Sequence, residues 1–189
     1  PMVVGLKQAL AGSSDAKSFV MTVIAGAVPA DHWVHDATEG GGRIVGEACH
    51  FIDLLRHLAG APIESRKVTA MRNSGGGALP DTAVISLAFA DGSIGVINYL
   101  ANGHRSFAKE RLEVFCGGRI AVLDNFRKLS GHGWPGLATR RALRQDKGQA
   151  ACAAAFVNCV QNGGPAPIAL DEILEVSRVA LEVAELSSR

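Results

Sequence analysis

The chain has 189 residues, 19 lysines and arginines against 18 aspartates and glutamates, 48% hydrophobic and 20% charged residues. That balance excludes an intrinsically disordered chain and gives no general attraction to nucleic acid or anionic membrane. The length suits one domain, or one with appendages.

Residues 2–11 are predicted as a short amphipathic helix with Val3, Leu6 and Leu10 on one side, broken by Ser13-Ser14-Asp15. The stretch Pro1–Lys7 lacks the basic start and long apolar core of a signal peptide. Ser18 to Ile24 is a β-rich run. A loop follows from Gly26 to Gly42, carrying Asp31, His32, Trp33, His35 and Asp36. Ile44 to Ala59 turns helical, and Gly60 with Pro62 stops it. Ile63 to Met71 is predicted as a strand. Thr82 to Phe89 alternates, with Ala83, Ile85, Leu87 and Phe89 on one face and Thr82, Val84 and Ser86 on the other. Asp91-Gly92 is a tight hairpin turn into Ser93–Leu100. Gly117-Gly118 joins a second hairpin, Arg111–Phe115 with Arg119–Leu123. Residues 125–144 read as a basic, glycine-containing connection around Trp134-Pro135. Two helices close the chain, about Asp146–Gln161 and Asp171–Ser187, the second with Asp171 as its N-cap.

Strands joined by tight hairpins are antiparallel. Strands segregated from helices imply an α+β fold: one mostly antiparallel open sheet with helices packed on one face. Val84 beside Ile85, and Val96 beside Ile97, put apolar residues on both faces. The other sheet face is therefore expected to stack on a second copy in a homodimer. No uncharged apolar run approaches the ~18 residues of a membrane span. Cys49, Cys116, Cys152 and Cys159 form no Cys-x-x-Cys pair, which disfavours a zinc knuckle or a thioredoxin-type motif. They read as reduced thiols of a cytoplasmic protein. The 22 glycines concentrate in turns such as Gly40–Gly42 and Gly75–Gly77.

A dinucleotide-binding fold needs Gly-x-Gly-x-x-Gly between a strand and a helix. The nearest candidate, Gly40-Gly41-Gly42-Arg43-Ile44-Val45-Gly46, has the wrong spacing and follows a polar loop. A P-loop is also missing, so no cofactor-binding residue is expected in this chain.

The most informative stretch runs from Glu39 to Leu58. At ~100° per residue, Glu47, His50, Asp53 and His57 fall along one stripe, with Ala48, Cys49, Ile52, Leu55 and Ala59 on the core side. Glu47, three residues before His50, can fix one imidazole tautomer and raise its basicity, which suits a general base. The same pattern also fits a solvated polar face that happens to hold two histidines. A metal site is the third reading, in which His50 joins Asp53 or Glu47 and a ligand from elsewhere. His50 and His57 are too far apart to share one zinc. Cys49 faces the core and points ~100° away from His50, which argues against a cysteine hydrolase.

This segment resembles the C-terminal domain of the Gfo/Idh/MocA oxidoreductases, in which a Gly-Gly-Gly turn leads into a helix bearing His-x-x-Asp-Leu-Leu. Gly40–Gly42 and His50-Phe-Ile-Asp53-Leu-Leu match it. The similarity runs from Ser18 to the last helix, through Phe89-Ala-Asp-Gly-Ser-Ile, Glu110-Arg-Leu-Glu-Val-Phe-Cys-Gly-Gly and Pro167-Ile-Ala-Leu-Asp-Glu-Ile. Gly46-Glu-Ala-Cys-His50 with Tyr99-Leu-Ala-Asn-Gly-His104 is most similar to a subgroup in which the module follows a zinc-alcohol-dehydrogenase-like region. The resemblance implies a division of the chain into residues 1–17, a helix and linker from a missing Rossmann domain, and residues 18–189, a substrate-binding and oligomerisation domain. It implies NAD or NADP in the parent protein, bound mainly by that Rossmann domain in cis, and a sugar or sugar-acid hydroxyl as substrate. His50 would take the hydroxyl proton. The family often carries an aspartate four residues before this histidine; here the residue is Gly46, and Glu47 is the expected substitute.

Asp53 is a candidate substrate contact on the same face. His32 and Trp33, after the first strand, are candidates bordering the pocket, and Arg43 is a candidate partner for a sugar-acid carboxylate. Asn102 and His104, after the fourth strand, are candidates to read hydroxyls. Arg140, Arg141, Arg144 and Lys147 lack interleaved aromatics and do not suggest a nucleic-acid site. The expected function is thus the substrate and dimerisation half of an NAD(P)-dependent sugar-type dehydrogenase, its imidazole facing a cavity that a second lobe roofs. The rival is a non-catalytic oligomerisation module; a metal-dependent hydrolase is more distant.

Overall fold

The computed structural model describes residues 1–29, 31–36, 38–71 and 79–188. The glycines at 75–77 lie outside the described residues. Helix α1 spans Met2–Ala11 and strand β1 spans Lys17–Ile24. A short 3₁₀ turn at Trp33–His35 and a π-helical turn at Ile44–Ala48 precede α2, Cys49–Ala59. The remaining strands are β2 (Ile63–Ala70), β3 (Thr82–Phe89), β4 (Ile94–Leu100), β5 (Glu110–Cys116), β6 (Arg119–Asp124), β7 (Lys128–His132) and β8 (Arg140–Arg141). Helices α3 (Gln149–Asn162) and α4 (Leu170–Ser187) follow.

The strands form one open sheet in the order β2-β3-β4-β1-β5-β6-β7-β8. Neighbouring strands are antiparallel throughout except for β1 and β4, which run parallel with Val23 beside Tyr99 and Ile24 beside Leu100. This is the expected α+β architecture.

One face of the sheet is buried. Phe19, Met21 and Val23 of β1, Ile85 and Leu87 of β3, Ile97 and Tyr99 of β4, and Leu112 and Val114 of β5 all point to it. The period-two spacing puts them there. Helices α1, α2 and α4 close over them. Leu6 and Leu10 of α1 join the same core as the sheet, so the first helix packs as part of this fold. On α2, Phe51, Ile52, Leu55, Leu58 and Ala59 form the inward stripe. Leu55 is seated on β4 because Gly95 carries no side chain: a Cβ there would sit 2.7 Å from Leu55 Cδ2. On α4, Val176, Val179, Ala180 and Val183 recur at helical spacing and are buried. Among the described residues no helix covers the other sheet face, and Val84, Ile94 and Phe115 are exposed on it.

Three expectations need correction. Residues 125–144 were expected to connect the second hairpin to the helices, yet they contain β7 and β8. These strands alternate poorly, with Leu129 the one fully buried residue of β7, and pairing with β6 supplies the order that side-chain pattern does not. Asp171 is not the N-cap of the last helix. Ala169 occupies that position without a side-chain cap, and Asp171 lies in the first turn, where its charge suits the helix dipole. Finally, Ile44–Ala59 is not one α-helix but a π-turn followed by an α-helix.

Candidate functional site

The C-terminal ends of the parallel pair β1 and β4, the start of β5 and the start of α2 meet at one end of the sheet. The glycine-rich turn shapes the entry. Gly40 passes against backbone: a Cβ there would lie 2.5 Å from the Trp33 carbonyl oxygen and 2.6 Å from Val34 Cα. Gly41 and Gly42 take left-handed backbone, at φ 65° and 84°, which L-residues with side chains avoid. Asp36 organises the turn. Its carboxylate accepts from the amides of Thr38 and Glu39, and its carbonyl accepts from those of Gly40 and Gly41. The Thr38 hydroxyl, followed by the amides of Glu39 and Thr38, holds the carboxyl below its usual range.

Glu47 is the centre of the polar cluster. Tyr99 donates its hydroxyl to Glu47 Oε2 at 2.5 Å, Arg43 Nη2 donates to the same oxygen at 3.0 Å, and Lys109 Nζ donates to Oε1 at 2.5 Å. Arg43 also donates to the Gly26 and Ala25 carbonyls at the exit of β1, and its guanidinium lies 5.6 Å from the centre of the Tyr99 ring. Burial alone would raise the Glu47 pKa. The bonds from Lys109, Tyr99 and Arg43 outweigh it and lower the carboxyl to about 2. Tyr99 is fully buried, and burial together with the Glu47 charge pushes its hydroxyl well above the usual range.

His50 stands on the first turn of α2 and is exposed. Its Nδ1 lies 4.0 Å from Cys49 Sγ. Asp53 and His57 follow on the same face, half-buried and exposed respectively. Burial raises the Asp53 carboxyl, helped by the charge of Glu172 on α4; burial lowers His57, helped by Lys7. The thiol of Cys49 is pushed up by burial.

The stripe of four predicted on one helix is thus split. His50, Asp53 and His57 share a face, whereas the Glu47 carboxylate bonds to Arg43, Tyr99 and Lys109, and no hydrogen bond joins it to His50. The π-turn explains this. Its hydrogen bonding reaches one residue further, as from Cys49 N–H to the Ile44 carbonyl, so 47 and 50 are not related by regular α-helical steps. Arg43, expected to meet a substrate carboxylate, is 6% exposed and directs its donors inward.

His32 and Trp33 are exposed on the loop before the glycine turn, their rings 5.7 Å apart, with His32 Nδ1 accepting from the Val34 amide. Asn102 and His104 are exposed just beyond β4; Asn102 contacts Met71 Sδ and His104 Nδ1 bonds to Ser106 Oγ. Sequence reasoning missed Lys109 and the role of Tyr99. The signal was available for Tyr99: the one tyrosine of the chain lies in an apolar strand, and a buried tyrosine hydroxyl needs an acceptor. Nothing in the spacing marks Lys109.

A cavity of about 400 Å³ lies at the opposite end of β1 and β5, lined by Ser18, Phe115, Cys116 and Arg119, remote from His50. Among the described residues, no group of three or more His, Cys, Asp or Glu side chains is placed to hold a metal ion. Nor is any helix long and apolar enough to cross a membrane.

A sequence model of the GFO/IDH/MocA C-terminal domain matches residues 17–119, more than half of the chain. No curated protein matches it. Among solved structures, levoglucosan dehydrogenase in complex with NADH and levoglucosan is similar at 18% identity and a TM-score of 0.80, over 99% of this chain and 61% of its own. The aldose-aldose oxidoreductase of Caulobacter crescentus, complexed with glycerol, is similar at 16% identity and 0.78, over 98% and 58%. UDP-N-acetylglucosamine 3-dehydrogenase of Acidithiobacillus ferrooxidans is similar at 18% identity and 0.72, over 100% and 58%. The chain therefore spans about three-fifths of the length of these structures and shares their fold.

Proposed function

The chain belongs to the GFO/IDH/MocA family as a C-terminal domain, and on that premise we propose that it is the substrate half of an NAD(P)-dependent dehydrogenase acting on a sugar or sugar-acid hydroxyl. The observation that carries this reading is the placement of His50. It stands exposed on the first turn of α2, at the sheet end where Glu47, Tyr99, Arg43 and Lys109 form a fixed charged cluster.

In the glycine-rich turn, the amides of Thr38, Glu39, Gly40 and Gly41 are engaged by Asp36 rather than free to meet a phosphate. NAD or NADP belongs to a Rossmann lobe in cis, and the steps assigned here are those of side chains. His50 Nε2 takes the proton of the substrate hydroxyl, while Nδ1 faces Cys49. The ion pair with Glu47 fixes the Lys109 ammonium, leaving its other N–H donors for a substrate oxygen. Asp53, Asn102, His104, His32 and Trp33 are the further residues assigned to contact the substrate. The bare sheet face with Val84, Ile94 and Phe115 stacks on a second copy in a cytoplasmic homodimer.

The test uses the complete gene product. His50→Ala should lower kcat by about 10²–10⁴-fold, the usual worth of a general base, with nucleotide affinity unchanged in calorimetry. Unchanged turnover removes His50 from the mechanism. One observation favours a second reading, a non-catalytic oligomerisation module: Gly46 stands where the family has its aspartate, and Glu47 turns away from His50. Crystals soaked in a sugar separate the two readings, since density beside His50 supports the enzyme.

A further inference from the structure

The loop that joins β4 to β5 carries a charge that the fold does not use. Arg105 is exposed there, yet it is held in place. Its Nη2 donates to the Ala27 carbonyl at 3.0 Å, and its stem lies over Gly26, where a Cβ would come within 3.2 Å of Arg105 Cγ. The loop is closed by bonds from the Phe107 amide to the His104 carbonyl and from the Ser106 amide to His104 Nδ1. Gly103 lets it settle on the end of β1, since a Cβ there would collide with Ile24 Cγ2. A freely hydrated arginine needs none of these restraints. Among the described residues, Arg105 makes no ion pair; its one bonded partner is a neutral carbonyl.

Arg105 is one of three cations at the exit of β1. Arg43 donates to the carbonyls of Ala25 and Gly26. Lys109, whose carbonyl accepts from the Ile24 amide, places its ammonium on Glu47. The carboxylates do not balance them. Glu47 is shared between Arg43 and Lys109, and Tyr99 donates to it as well. Asp81, just before β3, adds a negative charge that reaches Tyr99. Arg105 bonds to neither carboxylate. The excess positive charge lies beside the candidate site, because Arg43 bonds both to Gly26, under the Arg105 stem, and to Glu47, three residues before His50. A fixed guanidinium with free N–H donors is the group that reads a carboxylate or a phosphate. Holding it in place beforehand lowers the ordering cost of binding.

We propose that Arg105, assisted by the half-exposed Lys109 ammonium, sets substrate specificity by binding an anionic group, carboxylate or phosphate, on the sugar whose hydroxyl meets His50. The proposal rests on the reading of the chain as the substrate half of a dehydrogenase and narrows it to an acidic or phosphorylated sugar. Arg43, the residue expected from the sequence to meet a substrate carboxylate, instead braces the exit of β1 against Glu47. Arg105 takes over that role because its other donors are left free.

Calorimetry on the complete gene product tests this with D-glucose, D-glucuronate and D-glucose 6-phosphate, which share one ring and differ in charge. At least one anion should bind about 10–100-fold more tightly than glucose, the usual worth of a hydrogen bond to a charged group. Which anion does so tells carboxylate from phosphate. The preference should shrink as ionic strength rises from about 0.01 M to about 1 M, and it should largely disappear in Arg105→Met. Glucose bound as tightly as both anions, or no binding of either anion, overturns the proposal. So does a preference that is insensitive to salt, a measurement that needs no variant and stands even where Arg105→Met does not fold. An undiminished preference in Arg105→Met overturns it too. If Arg105→Met weakens NADH or NADPH binding and leaves the sugar anions as they were, the cations serve the dinucleotide phosphates and the proposal fails. Nucleotide titrations of the same protein keep the two readings apart. Anion preference without nucleotide binding sinks the dehydrogenase alone; nucleotide binding without anion preference sinks the role of Arg105 alone.

Discussion

Replacing Glu47 by Gln removes the one negative charge shared by Arg43, Tyr99 and Lys109 while keeping the shape of the side chain. The native carboxyl is lowered from the ordinary glutamate range to about 2. Each tenfold change in proton affinity is worth about 1.4 kcal/mol, so the gross stabilisation is about 3 kcal/mol. Lys109 is 44% exposed, so solvent screens its share, and about 2 kcal/mol is the expected net value. Because the folded-state pKa is the lower one, this stability is present in full above about pH 5 and is lost as pH falls toward about 2. Urea unfolding of the native chain and Glu47→Gln at pH 7 and pH 2.5 reads it directly. The variant should be weaker by about 2 kcal/mol at pH 7 and by a small fraction of that at pH 2.5. An equal deficit at both pH values would show that the loss of an acceptor oxygen, rather than of the charge, is what weakens the cluster. No deficit at pH 7 would refute the assignment of Glu47 as its centre.

Two glycines that flank the entry to α2 should respond oppositely. Gly40→Ala drives a Cβ into the Trp33 carbonyl and Val34 Cα, and a loss of about 1–3 kcal/mol is expected in thermal denaturation. A Cβ on Gly46 meets nothing within 4 Å, so Gly46→Ala should stabilise by about 0.5–1 kcal/mol through the entropy of the unfolded chain. Leu55→Ala empties the seat over Gly95 and should cost about 2–5 kcal/mol in chemical unfolding; a loss under 1 kcal/mol would mean that α2 resettles on β4.

Hairpins and amphipathic helices were legible because their signals are local. Asp91-Gly92 and Gly117-Gly118 name their turns, and the alternation through Thr82–Phe89 names its buried face. The parallel union of β1 with β4 carries no such signal, since it depends on how the chain returns after α2, β2 and β3. Strand β7 was invisible because Lys-Leu-Ser-Gly-His has almost no alternation of its own. At the site, the histidine and the glycine turn were readable as a motif. The partnership of Glu47 was not, because a π-turn breaks the regular angular step on which the stripe rests. Lys109 enters only through tertiary placement, delivered by the register that sets Glu110 beside Val23.

Strand β1 is made before every other strand, yet it lies between two that come much later, Ile94–Leu100 and Glu110–Cys116. The sheet is therefore two consecutive meanders, β2-β3-β4 and β5-β6-β7-β8, stitched by a single early ribbon. Each meander can zip through neighbouring residues, whereas inserting the ribbon requires closing a long loop first. Until that step is complete, the β4 margin stands open to a parallel strand and the β5 margin to an antiparallel one, and the ribbon of another molecule fits both as well as their own. Exchange of β1 between copies is thus the misfolding hazard that this order of strands builds in.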